Sequence, residues 1–403
     1  MKLINNLKVL VIIPTLILSG CGGGGGGGGT SSGSDSTEET SISIQQGFEP
    51  GATDSHELQT AAIYIKRSSL PSAYPSNFKL AITYADFDSD GDVDVFISSG
   101  DGTDTVTPSE LFLNDGNGNF VLDSSFFNGS PPGQIHPRKA LTGDYNGDGE
   151  MDMFVIGHGY DFDPFPGEAP YVILSSENGY NLGTGLDTFV GFQHAASSAD
   201  IDNDNDIDVF VTDTTDKPFF LINDGSGNFT KDSTKITDLT GQMYTTELVD
   251  VDKDGFIDVL VTGHEQGGFS SQILWGNNSG IWSVNSSTTL PPITGLGTVI
   301  DIDVADIDLD GDKDIFLTRT GDGSDRLAFY EGFKIQVLIN QGGRTFSDES
   351  AERLNTGHSD TAIWIDWIRI QDFNNDGFKD IVVDDATRDL VWLNDGVGNF
   401  QPK

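Results

Sequence analysis

Residues 86–94 read DFDSDGDVD, an acidic nonamer with aspartate at positions one, three, five and nine and glycine at position six. Five later nonamers follow the same design, with Asp or Asn at position three. The six nonamers begin at Asp86, Asp144, Asp200, Asp250, Asp306 and Asp372. Their starts are 58, 56, 50, 56 and 66 residues apart. A repeat period of this length is typical of a propeller or a solenoid.

Each nonamer is followed by two further signals of β-structure. The first is a short apolar run, as in residues 93–98, which is typical of a strand buried on both faces. The second is a Gly/Asn-rich turn closed by an aromatic residue. These aromatic residues are Phe120, Tyr180, Phe229, Trp282, Phe346 and Phe400. Each repeat therefore predicts four strands, A to D, with the acidic loop between A and B and the turn between C and D.

With the nonamer, the strand and the NDGxGNF-type turn in place, the chain resembles the FG-GAP/VCBS repeat family, whose blades build the propeller of integrin α subunits. The resemblance covers residues 43–403 and implies an all-β fold, a β-propeller of four-stranded blades. It departs from the family pattern at Asn205, which replaces the glycine of loop position six. Because asparagine tolerates left-handed backbone geometry, we expect that loop to keep its shape.

Six loops predict six blades, with seven blades as the alternative if residues 42–80 form a degenerate one. The chain stops at Lys403, soon after the turn of the last blade. We therefore expect the last blade to lack a complete strand D, and the missing strand to come from residues 58–67.

The nonamers have the spacing of calcium loops, in which alternate oxygen ligands surround the ion and glycine permits a sharp bend. Up to six Ca²⁺ ions are predicted. The side-chain ligands would be Asp86, Asp88, Asp90 and Asp94; Asp144, Asn146, Asp148 and Asp152; Asp200, Asp202, Asp204 and Asp208; Asp250, Asp252, Asp254 and Asp258; Asp306, Asp308, Asp310 and Asp314; Asp372, Asn374, Asp376 and Asp380. The carbonyl ligands at position seven would be those of Asp92, Glu150, Asp206, Phe256, Asp312 and Phe378. The alternative is six solvated acidic turns without metal.

The formal net charge of -42 argues against nucleic acid and anionic lipid headgroups as partners, because both require a basic surface. The amino terminus has its own pattern: two lysines precede an apolar run, residues 9–18, that is too short to span a bilayer. Residues 18–21 read LSGC and resemble the lipobox of bacterial lipoproteins, which implies a signal peptide over residues 1–20 and lipidation of Cys21. The alternative is an ordinary secretory signal.

Residues 21–42 begin with Cys21 and eight glycines and predict a flexible tether, followed by the propeller over residues 43–403. Cys21 is the one cysteine of the chain, so the folded part has no disulfide. These features predict a lipid-anchored monomer of the bacterial cell envelope, at the outer membrane or cell surface, that contacts the membrane through Cys21.

A ligand is expected on the face opposite the acidic loops, where the B–C loops lie. Two B–C loops are long and aromatic: residues 157–170, with His158, Tyr160, Phe162 and Phe165 expected to be exposed, and the loop from Thr320, with Arg326, Phe329 and Tyr330. Aromatic side chains folded back over the blade edge are the alternative. Five histidines fall on the same face by register and could converge in a transition-metal or acid–base site. They are His136, His158, His194, His264 and His358.

Three functions follow from these observations. The first is a calcium-stabilised binding or adhesion module for a protein or glycan, without catalysis. The second is a polysaccharide-active hydrolase or lyase that uses the histidine-rich face. The third is a purely structural envelope lipoprotein.

Overall fold

The computed structural model describes residues 79–100, 103–321, 331–354, 356–361, 364–365, 367–383 and 390–403. They form six four-stranded antiparallel sheets arranged in a ring, which is a six-bladed β-propeller. Helix is confined to short turns in these residues: Glu265–Gly267, Val284–Ser286 and Ser350–Arg353.

Within each blade the strand order is A-B-C-D, as the repeat predicts. The strands of blade one are Lys79–Ala85, Asp94–Ser99, Glu110–Asn114 and Phe120–Leu122. Those of blade two are Pro137–Gly143, Asp152–Gly157, Tyr171–Leu174 and Asn181–Leu182. Those of blade three are Gln193–Ala199, Asp208–Asp213, Phe219–Asn223 and Phe229–Asp232.

The other half of the ring repeats this order. The strands of blade four are Met243–Val249, Asp258–Gly263, Gln272–Leu274 and Ser287–Thr289. Those of blade five are Thr298–Ala305, Asp314–Thr320, Phe333–Asn340 and Phe346–Asp348. Those of blade six are Ile368–Gln371, Asp380–Val383, Val391–Asn394 and Phe400–Pro402.

Small accessory strands join the blades to their connections. Thr107–Pro108 pairs with Gly133–Gln134, Ile236–Thr237 pairs with Trp282–Ser283, and Ser359–Asp360 pairs with strand C of blade five.

The B strands explain why the apolar runs are nearly continuous. In blade two, Met153 and Val155 pack against blade one, while Phe154 and Ile156 pack against blade three. Successive side chains of a strand point to opposite faces. A blade between two neighbours therefore needs apolar residues at both the odd and the even positions of its strands. The core therefore consists of apolar layers between neighbouring blades, one at each interface from blades one and two to blades five and six, and the strands buried on both faces are confirmed.

The ring closes between blade six and blade one. The Arg369 guanidinium lies 4.8 Å from the centre of the Tyr84 ring and donates a hydrogen bond to its hydroxyl at 3.4 Å. Both side chains are buried.

Blade six has its own fourth strand, since Phe400–Pro402 pairs with Val391–Asn394. The prediction that this blade lacks a complete strand D was therefore wrong. Three residues are enough, because strand D is equally short in blades one and five. The predicted donor segment, residues 58–67, and most of the alternative seventh blade, residues 42–78, lie outside the described residues.

A buried asparagine at the end of strand C ties neighbouring blades together. In blade three, Asn223 Nδ2 donates to the carbonyl of Ile207 in its own acidic loop, at 3.2 Å, and to that of Tyr145 in the loop of blade two, at 2.8 Å. Asn340 and Asn394 make the equivalent pair of bonds from blades five and six. The asparagine of the NDGxGNF-type turn therefore fixes the spacing of consecutive acidic loops.

Blades two and four have Ser175 and Gly276 in place of this asparagine. In these two blades the aromatic residue that closes the turn carries a hydrogen-bond donor. The Tyr180 hydroxyl donates to Phe87 O in the loop of blade one, at 2.8 Å, and to the eighth residue of its own loop. Trp282 Nε1 donates to the eighth residue of the loop of blade four, at 2.9 Å. An aromatic donor thus replaces the missing amide.

Replacing Tyr180 with Phe is expected to destabilise the protein by about 1–3 kcal/mol, because two buried carbonyls lose their donor while the ring packing is kept. Urea unfolding measures this difference. Adding Ser175→Asn to the Tyr180→Phe variant restores an amide at the strand end and should recover part of the loss. A Tyr180→Phe protein as stable as the parent would show that the hydroxyl does not hold the two loops.

Candidate functional site

All six acidic loops lie at one end of the propeller and share one backbone shape. In the first loop, Asp86 accepts hydrogen bonds from the backbone N–H groups of Asp90, at 3.1 Å, and Gly91, at 2.9 Å. The N–H of position seven, here Asp92, donates to the carboxylate of position five at 2.9 Å. The same bond from position seven recurs in the other five loops.

Position six has a left-handed backbone in this shape, with φ of 98° at Gly91 and 74° at Asn205. The expectation that asparagine would be tolerated at this position is therefore confirmed, and Asn205 N donates to Asp200 at 3.0 Å as a glycine N–H does elsewhere.

Four loops bring three carboxylates together, with one oxygen from each lying within 4.8 Å of the other two. In loops one, three and four these are positions one, three and five, and in loop five they are positions one, three and nine. The groups are Asp86, Asp88 and Asp90; Asp200, Asp202 and Asp204; Asp250, Asp252 and Asp254; and Asp306, Asp308 and Asp314. Loops two and six have Asn146 and Asn374 at position three, and each has two acids among positions one, three and five.

The ninth-position aspartates are buried and join each acidic loop to the neighbouring turn. Asp94 Oδ2 accepts from Phe87 N at 2.8 Å, and its Oδ1 accepts from Asn114 N at the end of strand C, also at 2.8 Å. The equivalent pair of bonds is made by Asp152, Asp208, Asp258, Asp314 and Asp380. Both carboxylate oxygens thus hold the backbone, a role that the spacing alone did not predict.

Two loops contact an arginine that lies later in the chain. Arg344, in the turn of blade five, contacts Asp252 at 2.5 Å and Asp254 at 3.0 Å. Arg353, in the short helix after that turn, contacts Asp308 at 3.1 Å. These partners were missed from the sequence, although Arg344 stands out because it interrupts the NDGxGNF-type turn, which reads NQGGRTF in blade five. The guanidinium groups offset part of the negative charge of loops four and five.

The donor set fits a hard divalent cation. In loop five, Asp306 Oδ1 and Asp308 Oδ1 are buried and accept no hydrogen bond from the described residues. Buried carboxylate oxygens without a donor are costly unless a cation contacts them. The available ligands are carboxylate and amide oxygens, which Ca²⁺ prefers.

Burial raises the pKa of four ninth-position carboxyls, Asp94, Asp208, Asp258 and Asp314, to about 7, and that of Asp152 to about 6. A folded-state pKa above the unfolded value means that the folded state binds the proton more tightly. This contribution to stability is therefore complete below about pH 4 and is lost as the pH rises to about 7.

The calcium-free protein is thus expected to melt at a lower temperature at pH 8 than at pH 5.5, measured by differential scanning calorimetry. Added calcium should raise the melting temperature more at pH 8, because the ion requires ionised carboxylates. The Asp258→Asn variant should show a smaller pH dependence without calcium. A calcium-free protein that is more stable at pH 8 would contradict the expectation.

The opposite end of the propeller carries a continuous series of ring contacts, which we call the ring strip. Strands A and B are antiparallel, so residues before strand A and after strand B lie at the end remote from the acidic loops. In order of contact the strip contains Phe165, Phe192, His158, His194, Tyr244 and His264, and His136 contacts His158 beside it; the centroid distances are from 4.1 to 6.5 Å. Four of the five histidines expected to converge are thus brought together across blades two, three and four.

His358 is not among these contacts. It precedes Ser359–Asp360 at the edge of blade five, and its carbonyl accepts from Ile335 N at 2.9 Å. The loop residues Arg326, Phe329 and Tyr330 lie outside the described residues.

The long B–C loop of blade two, residues 157–170, is held at its base by one carboxylate. Glu168 accepts from Ile135 N at 2.9 Å, His136 N at 3.0 Å and Gly159 N at 3.1 Å. Its own backbone exchanges two hydrogen bonds with Gly191 of the next connection. The loop is therefore fixed to the rigid part of blades two and three.

This loop contains the exposed aromatic side chains of the described structure. Tyr160, Phe162 and Phe165 are 38, 52 and 47% exposed, and no other described aromatic residue is exposed to this degree. Phe165 has φ of 54°, an uncommon conformation for a bulky residue, and its N–H donates to Phe162 O at 2.7 Å. Backbone strain of this kind concentrates at functional sites. His158, in contrast, is buried at 3% exposure, so its predicted exposure was wrong: it stacks on Phe192 at 4.3 Å.

The histidines of the ring strip are stacked and electrically neutral. Burial, together with the nearby Arg138 cation, lowers the pKa of His136 to about 3 and that of His194 well below its usual value. His158 Nδ1 lies 3.0 Å from Gly159 O. No three nitrogen or carboxylate ligand atoms at this end meet within 4.8 Å in the described structure, so its geometry does not favour a transition-metal centre.

A comparison with protein-family models agrees with the repeat pattern. A model described as FG-GAP-like repeat matches residues 86–155, 200–261 and 250–317. A solved structure described as the basis of specific recognition of non-reducing terminal N-acetylglucosamine by an Agrocybe aegerita lectin is 15% identical, with 76% of this chain and 86% of that chain covered and a TM-score of 0.38. A search of curated proteins found no match.

Cys21 and the tether lie outside the described residues. Within the described ranges, no helix combines the length and apolar character needed to cross a bilayer.

Proposed function

The chain is an FG-GAP-like repeat protein folded as a six-bladed β-propeller, and from this premise we propose that it is a calcium-stabilised binding module of the bacterial envelope that has no catalytic activity of its own. The observation that carries the proposal is the separation of its two ends. The acidic loops occupy one end, and the exposed aromatic residues of the loop over residues 157–170 occupy the other.

The acidic end serves as the structural end in this proposal. Its carboxylates and asparagines link each loop to its own blade and to the blade before it, as Asn223 does. Six Ca²⁺ ions there would be held by the carboxylates of positions one, three, five and nine and by the carbonyl of position seven. When bound, the ions would supply positive charge between carboxylates that otherwise repel each other.

The aromatic end serves as the ligand end. Exposed rings on a rigidly anchored loop provide contact area at a low cost in conformational entropy, which suits a glycan or protein ligand. The hydrolase or lyase alternative gains no comparable support. His136, His158 and His194 are neutral and stacked on one another, and the carboxylate beside them, Glu168, is occupied by three backbone N–H groups.

The proposal includes the membrane anchor. The LSGC segment and the glycine tether of residues 22–29 support lipidation of Cys21 and attachment at the outer membrane or cell surface. Cys21→Ser is expected to abolish labelling by a fatty-acid analogue and to release the protein from the membrane fraction. The protein should act as a monomer.

The binding function is tested with the calcium-loaded protein on a glycan array and against envelope proteins, using the Phe162→Ala/Phe165→Ala variant. We expect at least about tenfold weaker binding in the variant, because exposed aromatic anchors dominate such interfaces. Val397→Ala, an exposed apolar residue at the acidic end, is the control and should bind normally. Turnover of a polysaccharide by the purified protein would contradict the proposal. So would equal affinity of the Phe162→Ala/Phe165→Ala variant and the Val397→Ala control for the ligand.

A further inference from the structure

The innermost strands carry one structural irregularity at equivalent positions in successive blades. In blades one to five the pairing of strand A with strand B shifts register near its start and leaves one bulged residue. In blades two, three and four this residue is Arg138, His194 or Tyr244. Each lies six residues before its acidic loop. Bulges re-aim a side chain, and strand A is the strand through which neighbouring blades meet near the axis. These three side chains therefore gather at the axial mouth of the propeller, where His194 and Tyr244 belong to the ring strip and Arg138 lies beside it.

Arg138 is unusual because it has no acidic partner among the described residues, although the chain has 63 acidic residues. Its side chain is half-buried, and none of the ion pairs in the described structure includes it. Its Nε is buried and has no hydrogen-bond acceptor among the described residues. Its guanidinium carbon lies 6.0 Å from the centre of the Trp367 ring. A buried donor without an acceptor is rare in native proteins and indicates a missing partner.

A second unsatisfied atom lies in the same cluster. His194 Nδ1 is buried and lacks a hydrogen-bond partner among the described residues. The His194 ring is held between His158, at 5.2 Å, and Tyr244, at 4.9 Å. His136, 4.1 Å from His158, is held in the same way. Because these imidazoles are neutral, each has one N–H that can donate to an oxygen.

We infer that the axial mouth beside Arg138, His136 and His194 is a binding site for the carboxylate of an acidic sugar, such as a uronic-acid residue of a glycan. This inference rests on the binding function proposed above and specifies its ligand. A guanidinium matches a carboxylate with two parallel hydrogen bonds, and the two imidazoles offer further donors.

The surroundings of the cation favour a saccharide over a peptide. Aromatic rings border the site: Trp367 lies 6.0 Å from the Arg138 guanidinium, and in the ring strip Phe192 stacks on His158 at 4.3 Å and contacts Phe165. A uronate presents an apolar pyranose face next to its carboxylate, and so matches a cation bordered by aromatic rings. The net charge of -42 argues against nucleic acid and anionic lipid headgroups as partners, but it describes the whole chain, and 22 of the aspartates lie in the acidic loops at the opposite end.

The test is isothermal titration calorimetry of the calcium-loaded protein with a trigalacturonate and with its methyl ester, which has the same rings without the charge. We expect the acid to bind roughly 10- to 100-fold more tightly than the ester. Arg138→Met should remove this preference while leaving the affinity for the ester unchanged. Lys217→Met, which removes an exposed positive charge from the B–C loop of blade three at the same end, should keep it.

Stability separates a binding role from a structural one. Since Arg138 forms no ion pair with the described residues, Arg138→Met should melt at the same temperature as the parent or higher. A clearly lower melting temperature would mark Arg138 as structural and overturn the inference.

The other outcomes are equally distinct. Equal affinities for acid and ester would overturn the carboxylate site while supporting a glycan-binding function. Arg138-dependent binding of a Glu-rich peptide, without saccharide binding, would overturn the choice of ligand. No binding of any glycan, ester or protein would overturn the site and the proposed function together.

Discussion

Chelation of calcium is expected to lower the melting temperature of this protein by at least about 10 °C. Each of four loops holds three carboxylate oxygens within 4.8 Å, and without cations these groups repel one another. One ion at 100 times its dissociation constant stabilises a protein by about 2.7 kcal/mol. Several such sites sum to roughly 10 kcal/mol, and 1 kcal/mol shifts the melting temperature of a large domain by about 2–4 °C.

Calorimetric melting in calcium, in chelator, and in chelator with excess magnesium measures the effect. The variant Asp86→Asn/Asp88→Asn/Asp90→Asn should lose only the share contributed by loop one. Loops two and six, with Asn146 and Asn374, should release their ions first as calcium is lowered, because each has one negative charge fewer. An unchanged melting temperature in chelator, together with no calcium uptake in a titration, would leave the acidic loops as solvated turns.

Replacing Arg319 with Met is expected to destabilise the protein by about 3–5 kcal/mol, the range for breaking a buried ion pair from one side. Arg319 is fully buried in strand B of blade five, and its guanidinium contacts Glu265 of blade four at 2.8 and 3.0 Å. It also donates to Gln336 Oε1 at 2.6 Å, and to the carbonyls of Pro291 and Leu296. All five N–H groups are thus used, and the loss of Arg319 leaves the Glu265 carboxylate without its cation.

Urea unfolding measures this loss, and the matched control is the Arg319→Met/Glu265→Leu protein, which removes both charges. It should recover much of the stability, because uncharged groups of similar volume replace a buried ion pair with little cost. Arg319→Lys keeps the charge but loses the two parallel hydrogen bonds to Glu265. Its free energy of unfolding should lie between those of the Arg319→Met and Arg319→Met/Glu265→Leu proteins. A single Arg319→Met variant within 1 kcal/mol of the parent would show that the network is dispensable.

Local patterns in the chain are sufficient to predict the repeat, the blade and the place of each acidic loop. The positions of Asp86 and its counterparts specify a turn whose hydrogen bonds join residues two to five apart in the chain. The burial of alternate side chains follows from the two faces of a single strand. Such short-range relations are readable from sequence. The prediction about strand D of blade six failed for a different reason. The length of a closing strand is not set by a local signal, and the three residues Phe400–Pro402 are enough.

Long-range relations are the part that the repeat pattern does not contain. The Tyr180 bond to blade one spans 93 residues, and the Arg344 contacts with loop four span about 90. Side chains from different blades meet near the axis, and they determine that His158 is buried and that Arg138 has no acidic partner among the described residues. Motif spacing therefore identifies the acidic end and its chemistry. The ligand end depends on side chains that are distant in the chain and become neighbours when the ring of blades closes.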